Sequence, residues 1–248
     1  MDTISFVARA GNRILNLMVA MFVVVAMSYS GYALWDTYNV YRGAFPNGEL
    51  LKFKPSGQPG EDNPTLEELM AINQDVLGWL VIDDTHIDYP LLQGENDMEY
   101  VNKDLYGEFS LSGAIFLAAQ NKRDFSDRYN LIYGHHMDNG AMFGDIMEFL
   151  NEGYFDEHRT GTLYLPDTTC KVELWACLET NAYDDHIFIL ADKQSEAGLS
   201  EFIDFVKNNA LHIHEDMEVT SDDRIIAMST CVDASTNGRA VMLGRLVP

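Results

Sequence analysis

Cys231, His135 and Arg239 are the residues of this chain whose types and surroundings suit acyl transfer. Cys231 follows the apolar run Ile225-Ile226-Ala227-Met228 and the hydroxyl pair Ser229-Thr230, so it is expected at the mouth of a strand, where a side chain leaves a rigid scaffold for a cleft. A thiol attacks as its thiolate and needs a cation nearby. Arg239 follows the turn signal Asn237-Gly238, so one strand's end and the next strand's start can bring the two side chains together. Arginine keeps its proton at working pH, so its part would be electrostatic, holding the thiolate and then the oxyanion of a tetrahedral intermediate. His135 leaves a second strand-like run at Tyr133-Gly134-His135-His136, and an imidazolium there can protonate a departing amine.

Each residue also has a plainer reading. A free cysteine is commonly a small buried hydrophobe, and Asp233 is either an orienting carboxylate or a solvated turn residue. The pair His135-His136, with His212 and His214, raises the question of a metal. Adjacent histidines on a strand point apart, however, and no zinc-type spacing accompanies them, so no metal site is expected. Cys170, Cys177 and Cys231 make an odd number of cysteines, which requires at least one free thiol. Cys170 and Cys177 fall on opposite faces of a regular strand, which argues against a bridge between them.

The elements that must position these residues are mostly short β-type runs: 78–82, 87–92, 113–118, 129–133, 162–165, 171–178, 224–229 and 240–247, separated by signals such as Asp83-Asp84 and Gly94-Glu95. The pattern predicts a closed or nearly closed sheet. Helices are expected over 141–150 and 199–208, the second with Phe202, Ile203, Phe205 and Val206 as a core-facing stripe. Residues 52–64, rich in Pro, Gly and acids, read as a linker, and Thr65 with Glu68 as the capping box of a short helix after it.

Residues 14–34 carry no ionisable acid or base, a run long enough to cross about 30 Å of hydrocarbon. Arg9 and Arg13 precede it, and Trp35, Tyr38 and Tyr41 follow it, which places residues 1–13 in the cytoplasm and the rest outside. A cleavable signal peptide is the competing reading, given the small residues Ser28, Ser30, Gly31 and Ala33. The division expected is a cytoplasmic N-terminus (1–13), a transmembrane anchor (14–34), a linker with a helical appendage (35–76) and a catalytic barrel (77–248). A net charge of −23 excludes nucleic acid as a partner, because phosphate would be repelled.

Taken together, Tyr133-Gly134-His135-His136-Met137, Met142-Phe143, Met228-Ser229-Thr230-Cys231 and Arg239-Ala240-Val241 resemble the sortase family, class B most closely. The likeness runs from about Leu77 to the C-terminus and includes Asp88-Tyr89-Pro90-Leu91-Leu92-Gln93 and Gly113-Ala114-Ile115-Phe116-Leu117. It implies a mainly β fold with helices, an eight-stranded sortase-type barrel with N-terminal helices behind a transmembrane helix. It implies that Cys231 attacks the Thr carbonyl of a sorting signal on a secreted protein, that His135 (with His136 as second choice) protonates the leaving amine, and that Arg239 holds substrate and oxyanion. Ser229 and Thr230 would contact substrate, and no cofactor enters. The thioester would pass to an amine of a peptidoglycan precursor or of a pilin; a cysteine protease and a non-catalytic surface scaffold are the rivals. Ala227-Met228 stands where the family usually has Thr-Leu, which weakens inference about nearby pocket contacts. The lid motif of pilin-building class C enzymes is missing, which disfavours that class.

Overall fold

A computed structural model describes residues 2–231 and 237–248, so the expectation placed on Asp233 lies outside the described residues. The chain forms two compact units, one ending at Arg42 and one spanning Gly43–Pro248. The first is helix α1 (Asp2–Gly43), longer than the apolar run it contains. Its side chains are largely exposed, and an 18-residue window has a mean hydropathy of 1.9, long and apolar enough to cross a membrane.

The second unit contains helix α2 (Pro64–Ile72), then strands β1 (Val76–Ile82), β2 (Asp88–Leu92), β3 (Ile115–Leu117) and β4 (Tyr129–Tyr133). Helix α3 (Glu152–Glu157), strands β5 (Thr160–Leu165) and β6 (Thr168–Asn181), helices α4 (Asp185–Phe188) and α5 (Glu196–Asn209), and strands β7 (His212–Ile213), β8 (Arg224–Cys231) and β9 (Gly238–Val247) follow. The sheet order is β5-β1-β2-β3-β4-β8-β9-β6, and β5 pairs with β6 to close an eight-stranded barrel; the two-residue β7 adds to the free edge of β6. The pairings β2–β3 and β4–β8 are parallel and the rest antiparallel.

Alternation along each strand divides the core. One face, including Leu80, Leu91, Leu117, Ile132, Leu163, Val172, Met228 and Met242, fills the barrel interior. The other face of β4, β6, β8 and β9 packs Leu131, Trp175, Ala227 and Val241 against Leu199, Phe202, Ile203 and Val206 of α5. On the outside of β1–β3, Trp79, Leu92 and Phe116 bury Leu66 and Leu69 of α2. Each fully buried Val, Leu, Ile, Phe or Met among these contributes about 1.5–3 kcal/mol.

Several expectations change for identifiable reasons. The helix over 141–150 is instead a 3-10 helix, Gly144–Leu150, because Met142 is left-handed at φ 55° and interrupts any helix before it. Thr65 caps nothing: Asn63 is at the N-cap with Pro64 at the first helical position, and the Asn63 amide donates instead to the Leu165 carbonyl and Thr169 Oγ1, both at 2.8 Å. The stretch read as a linker is thereby tied to the barrel, with Gly60 N–H also donating to the Thr169 carbonyl at 2.9 Å. Cys170 and Cys177 share the interior face, because a register shift between Leu174 and Ala176 reverses the alternation; both are free thiols. Strand β7 is too short to give a periodic signal.

Lys193 is buried at 3% exposure, over the rings of Tyr129 and Phe202 at 5.1 and 5.6 Å. It donates to the Ile189 carbonyl at the end of α4. Burial pushes its amine down to about 8 from an ordinary 10.5, against the opposing pull of Asp192, Asp184 and Asp185. Between those values the unfolded chain holds a proton that the folded one has released, so this group raises stability as pH climbs through the window. Thermal melts of wild type and Lys193→Met across pH 7 to 10 are therefore expected to diverge in favour of the wild type as pH rises. Parallel curves would show that Lys193 titrates normally.

Candidate active site

Strand β4 lies beside β8 in parallel, with Tyr133 paired to Ser229, and the Gly134 N–H donates to the Ser229 carbonyl at 3.2 Å. Two residues beyond that pair on each chain come His135 and Cys231, so parallel register alone carries both to the same end of the sheet. Strand β9 runs antiparallel to β8 with Arg239 directly opposite Cys231, and faces Thr180 of β6 on its other side. By alternation His135, Cys231 and Arg239 all lie on the face of Leu131, Ala227 and Val241, outside the barrel interior. Side chains at directly opposed antiparallel positions are close enough to interact, and neighbouring strands are about 4.8 Å apart.

The three residues line one cleft of about 310 Å³, together with Asp97, Met98 and Val101 from the β2–β3 connection, Phe116, Tyr133, Gly134, Ser229 and Thr230. All three are half-buried, which leaves them reachable. His135 Nε2 donates to the Val101 carbonyl at 2.7 Å. A carbonyl can only accept, so this contact assigns a proton to Nε2 and fixes the ring plane. Gly134 is required by close approach, since a Cβ there would meet the Phe143 ring at 2.6 Å. Arg239 Nη1 donates to the Gly238 carbonyl at 2.9 Å.

The walls are aromatic. Tyr133 lies against Phe116 with centroids 5.4 Å apart and is parallel to Phe188 of α4 at 6.4 Å. Burial pushes the Tyr133 phenol well above its ordinary range, with Asp97 adding to the rise and Arg239 opposing it. Tyr133 is therefore a neutral hydroxyl at any working pH, between an acidic and a basic group. Ser229 shares the face of Cys231 and Thr230 the opposite one; both are buried, and neither hydroxyl has a hydrogen-bond partner among the described residues. His136 does not line the cleft: it points away from His135 and meets Asp138 at 3.2 Å. His212 and His214 bond to the Leu150 and Leu174 carbonyls, each at 2.9 Å. Among the described residues no group of three or more His, Cys, Asp or Glu is arranged to hold a metal ion.

Sequence reasoning did not find Asp97, Met98, Val101 or Phe116 as cleft residues. The first three sit on an irregular connection with no periodicity. Tyr133 was within reach, since parity with His135 along one strand places it on the same side.

A half-exposed thiol, an imidazole and a guanidinium on one cleft can attack a carbonyl, protonate a leaving group and hold an oxyanion. Cys170 and Cys177 are at most 1% exposed, and burial pushes the Cys177 thiol up to about 12, so they should be inert. Brief treatment with iodoacetamide followed by peptide mapping is expected to label Cys231 alone. Equal labelling of the three would contradict this assignment of exposure.

No family model matches the chain. Sortase B of Listeria monocytogenes serovar 1/2a is 33% identical over 190 residues, 76% of this chain and 76% of that protein. A crystal structure of a Streptococcus pyogenes class B sortase involved in pilus biogenesis is 39% identical with a TM-score of 0.65, covering 73% of this chain and 97% of that one. Sortase B from the Type II pilus of Streptococcus pneumoniae is 36% identical with a TM-score of 0.63, over 73% and 97%.

Proposed function

Because the chain belongs to the class B sortases, a group of cysteine transpeptidases, we propose that it cleaves a C-terminal sorting signal and transfers the protein to an amine of a peptidoglycan precursor. The observation that carries this reading is the convergence of Cys231, His135 and Arg239 on one cleft, with Arg239 opposite Cys231 in register.

In this mechanism the Cys231 Sγ attacks the Thr carbonyl carbon of the signal, and the oxyanion forms beside the Arg239 guanidinium. The C–N bond then breaks, and the departing amine takes a proton from His135. A thioester remains on Cys231. An incoming amine attacks it, loses a proton to His135, and releases the thiolate as the new amide forms. Ser229, on the face of Cys231, contributes to substrate contact and Thr230 does so through its backbone beside Cys231, while the aromatic walls at Phe116 and Tyr133 shield the thioester from water. Helix α1 serves as a single-pass membrane anchor with Arg9 and Arg13 on the cytoplasmic side and the barrel outside the cell. This holds an acidic protein near an anionic surface by burial of apolar residues rather than by charge.

A second reading, the joining of pilin subunits through isopeptide bonds, is favoured by the pilus-associated enzymes among the similar structures. The two differ only in the amine. Sorting-signal peptides incubated with the chain plus either oligoglycine or a lysine-bearing pilin peptide distinguish them by the amide produced. Cys231→Ala is expected to abolish cleavage and transfer while the barrel stays folded, and Arg239→Lys to lose on the order of 10²-fold, since a point charge does not replace a planar fork. Turnover surviving in Cys231→Ala would sink the assignment, and a normal rate in Arg239→Lys would make Arg239 structural.

A further inference from the structure

Between His135 and the 3-10 helix at Gly144–Leu150 the chain makes a tight excursion that returns on itself. The Phe143 N–H donates to the His135 carbonyl at 3.0 Å, and His136 and Met142 pair as an isolated antiparallel bridge. The Phe143 ring lies against Gly134, the residue before His135. The backbone of His135 is thus set by where residues 142 and 143 sit. Among the described residues Met142 is, with Asp84 and Phe125, a non-glycine residue with positive φ, at 55°, in a region where a side chain on Cα is disfavoured. Something must hold it there. The Met142 N–H donates to the hydroxyl of Tyr89 at 2.8 Å. Tyr89 belongs to β2, far from this excursion in sequence, and is buried at 5% exposure in the barrel interior beside Met142 and Phe143.

We propose that Tyr89 is a positioning residue for His135: its hydroxyl holds Met142 in the left-handed conformation that closes the excursion and fixes the imidazole in the cleft. This rests on the reading of His135 as the proton-transfer group. It also accounts for a hydroxyl at a buried position in the barrel interior where phenylalanine would fill the same space. A second tie acts nearby. The carboxylate of Asp145 accepts from the His86 N–H at 2.6 Å, so the β1–β2 turn holds the 3-10 helix while Tyr89 holds the turn before it.

Removing the hydroxyl leaves a buried N–H unpaired and a strained residue without its tether. Tyr89→Phe is expected to lower kcat by about tenfold to 10²-fold, the scale of a misplaced catalytic group, with KM little changed. Adding Met142→Gly, which adopts positive φ without strain, should restore most of the loss. Met142→Val keeps Tyr89 but opposes the left-handed backbone, and should reproduce the kcat defect. Histidine-selective NMR reads the same effect without turnover: the His135 resonance should shift or broaden in Tyr89→Phe and return in the double variant. A wild-type kcat and unmoved His135 resonance in Tyr89→Phe would overturn the proposal, as would a loss that Met142→Gly fails to rescue. Undiminished turnover in His135→Ala would instead overturn the reading of His135 on which it rests, whatever Tyr89→Phe does.

Discussion

The parallel pairing of β4 with β8 is the constraint on which the site depends. Parallel neighbours end together, so Tyr133 beside Ser229 commits the next residues of both strands to the same edge. The antiparallel return of β9 then places Arg239 across from Cys231. A shift of one residue in either register would turn a member of the trio into the barrel interior. That register is held by burial on both faces of these strands, with Ile132, Met228 and Met242 inside and Leu131, Ala227 and Val241 under α5. The chemistry needs no residue of unusual backbone geometry at Cys231 itself; precision comes from the sheet.

The parts of the site that are not on strands are tied down individually. The β2–β3 connection supplies Val101, whose carbonyl orients His135, and Asp97, whose carboxylate accepts from the Ala119 N–H at 2.7 Å. Helix α4 supplies Phe188 against Tyr133, and Lys193 closes the end of that helix. The wall opposite the barrel therefore depends on a buried amine, and the histidine depends on a buried phenol. Each polar group makes a specific buried contact, Tyr89 with the Met142 N–H and Lys193 with the Ile189 carbonyl, that an apolar side chain could not make.

Much of this was legible from residue order. The eight barrel strands follow from β-branched and aromatic runs between turn signals, and of the stripe Phe202, Ile203, Phe205 and Val206 three residues are buried in the core under α5 while Phe205 is half-buried at its edge. The placement of Cys231, His135 and Arg239 at strand ends is readable because apolar runs lead into Ser229 and Gly134, and Asn237-Gly238 leads into Arg239. Three features escaped for physical reasons. The shift after Leu174 changes parity without any glycine or proline to mark it, so residue order alone puts Cys170 and Cys177 on opposite faces. Met142 takes a left-handed backbone that its residue type disfavours, and the helix expected through it does not form. The 93–114 connection acts through backbone carbonyls and isolated side chains, which leave no periodic trace.

In the proposed mechanism Cys231 forms an acyl-enzyme in a cleft completed by His135 and Arg239. The most direct test is intact-protein mass spectrometry of the chain after incubation with sorting-signal peptides in the absence of any amine acceptor. The expected product is an adduct equal to the acyl half of the peptide, carried on Cys231, labile to hydroxylamine and absent in Cys231→Ala. An adduct located on another residue, or cleavage of the peptide by folded protein in which Cys231 is never acylated, would contradict it.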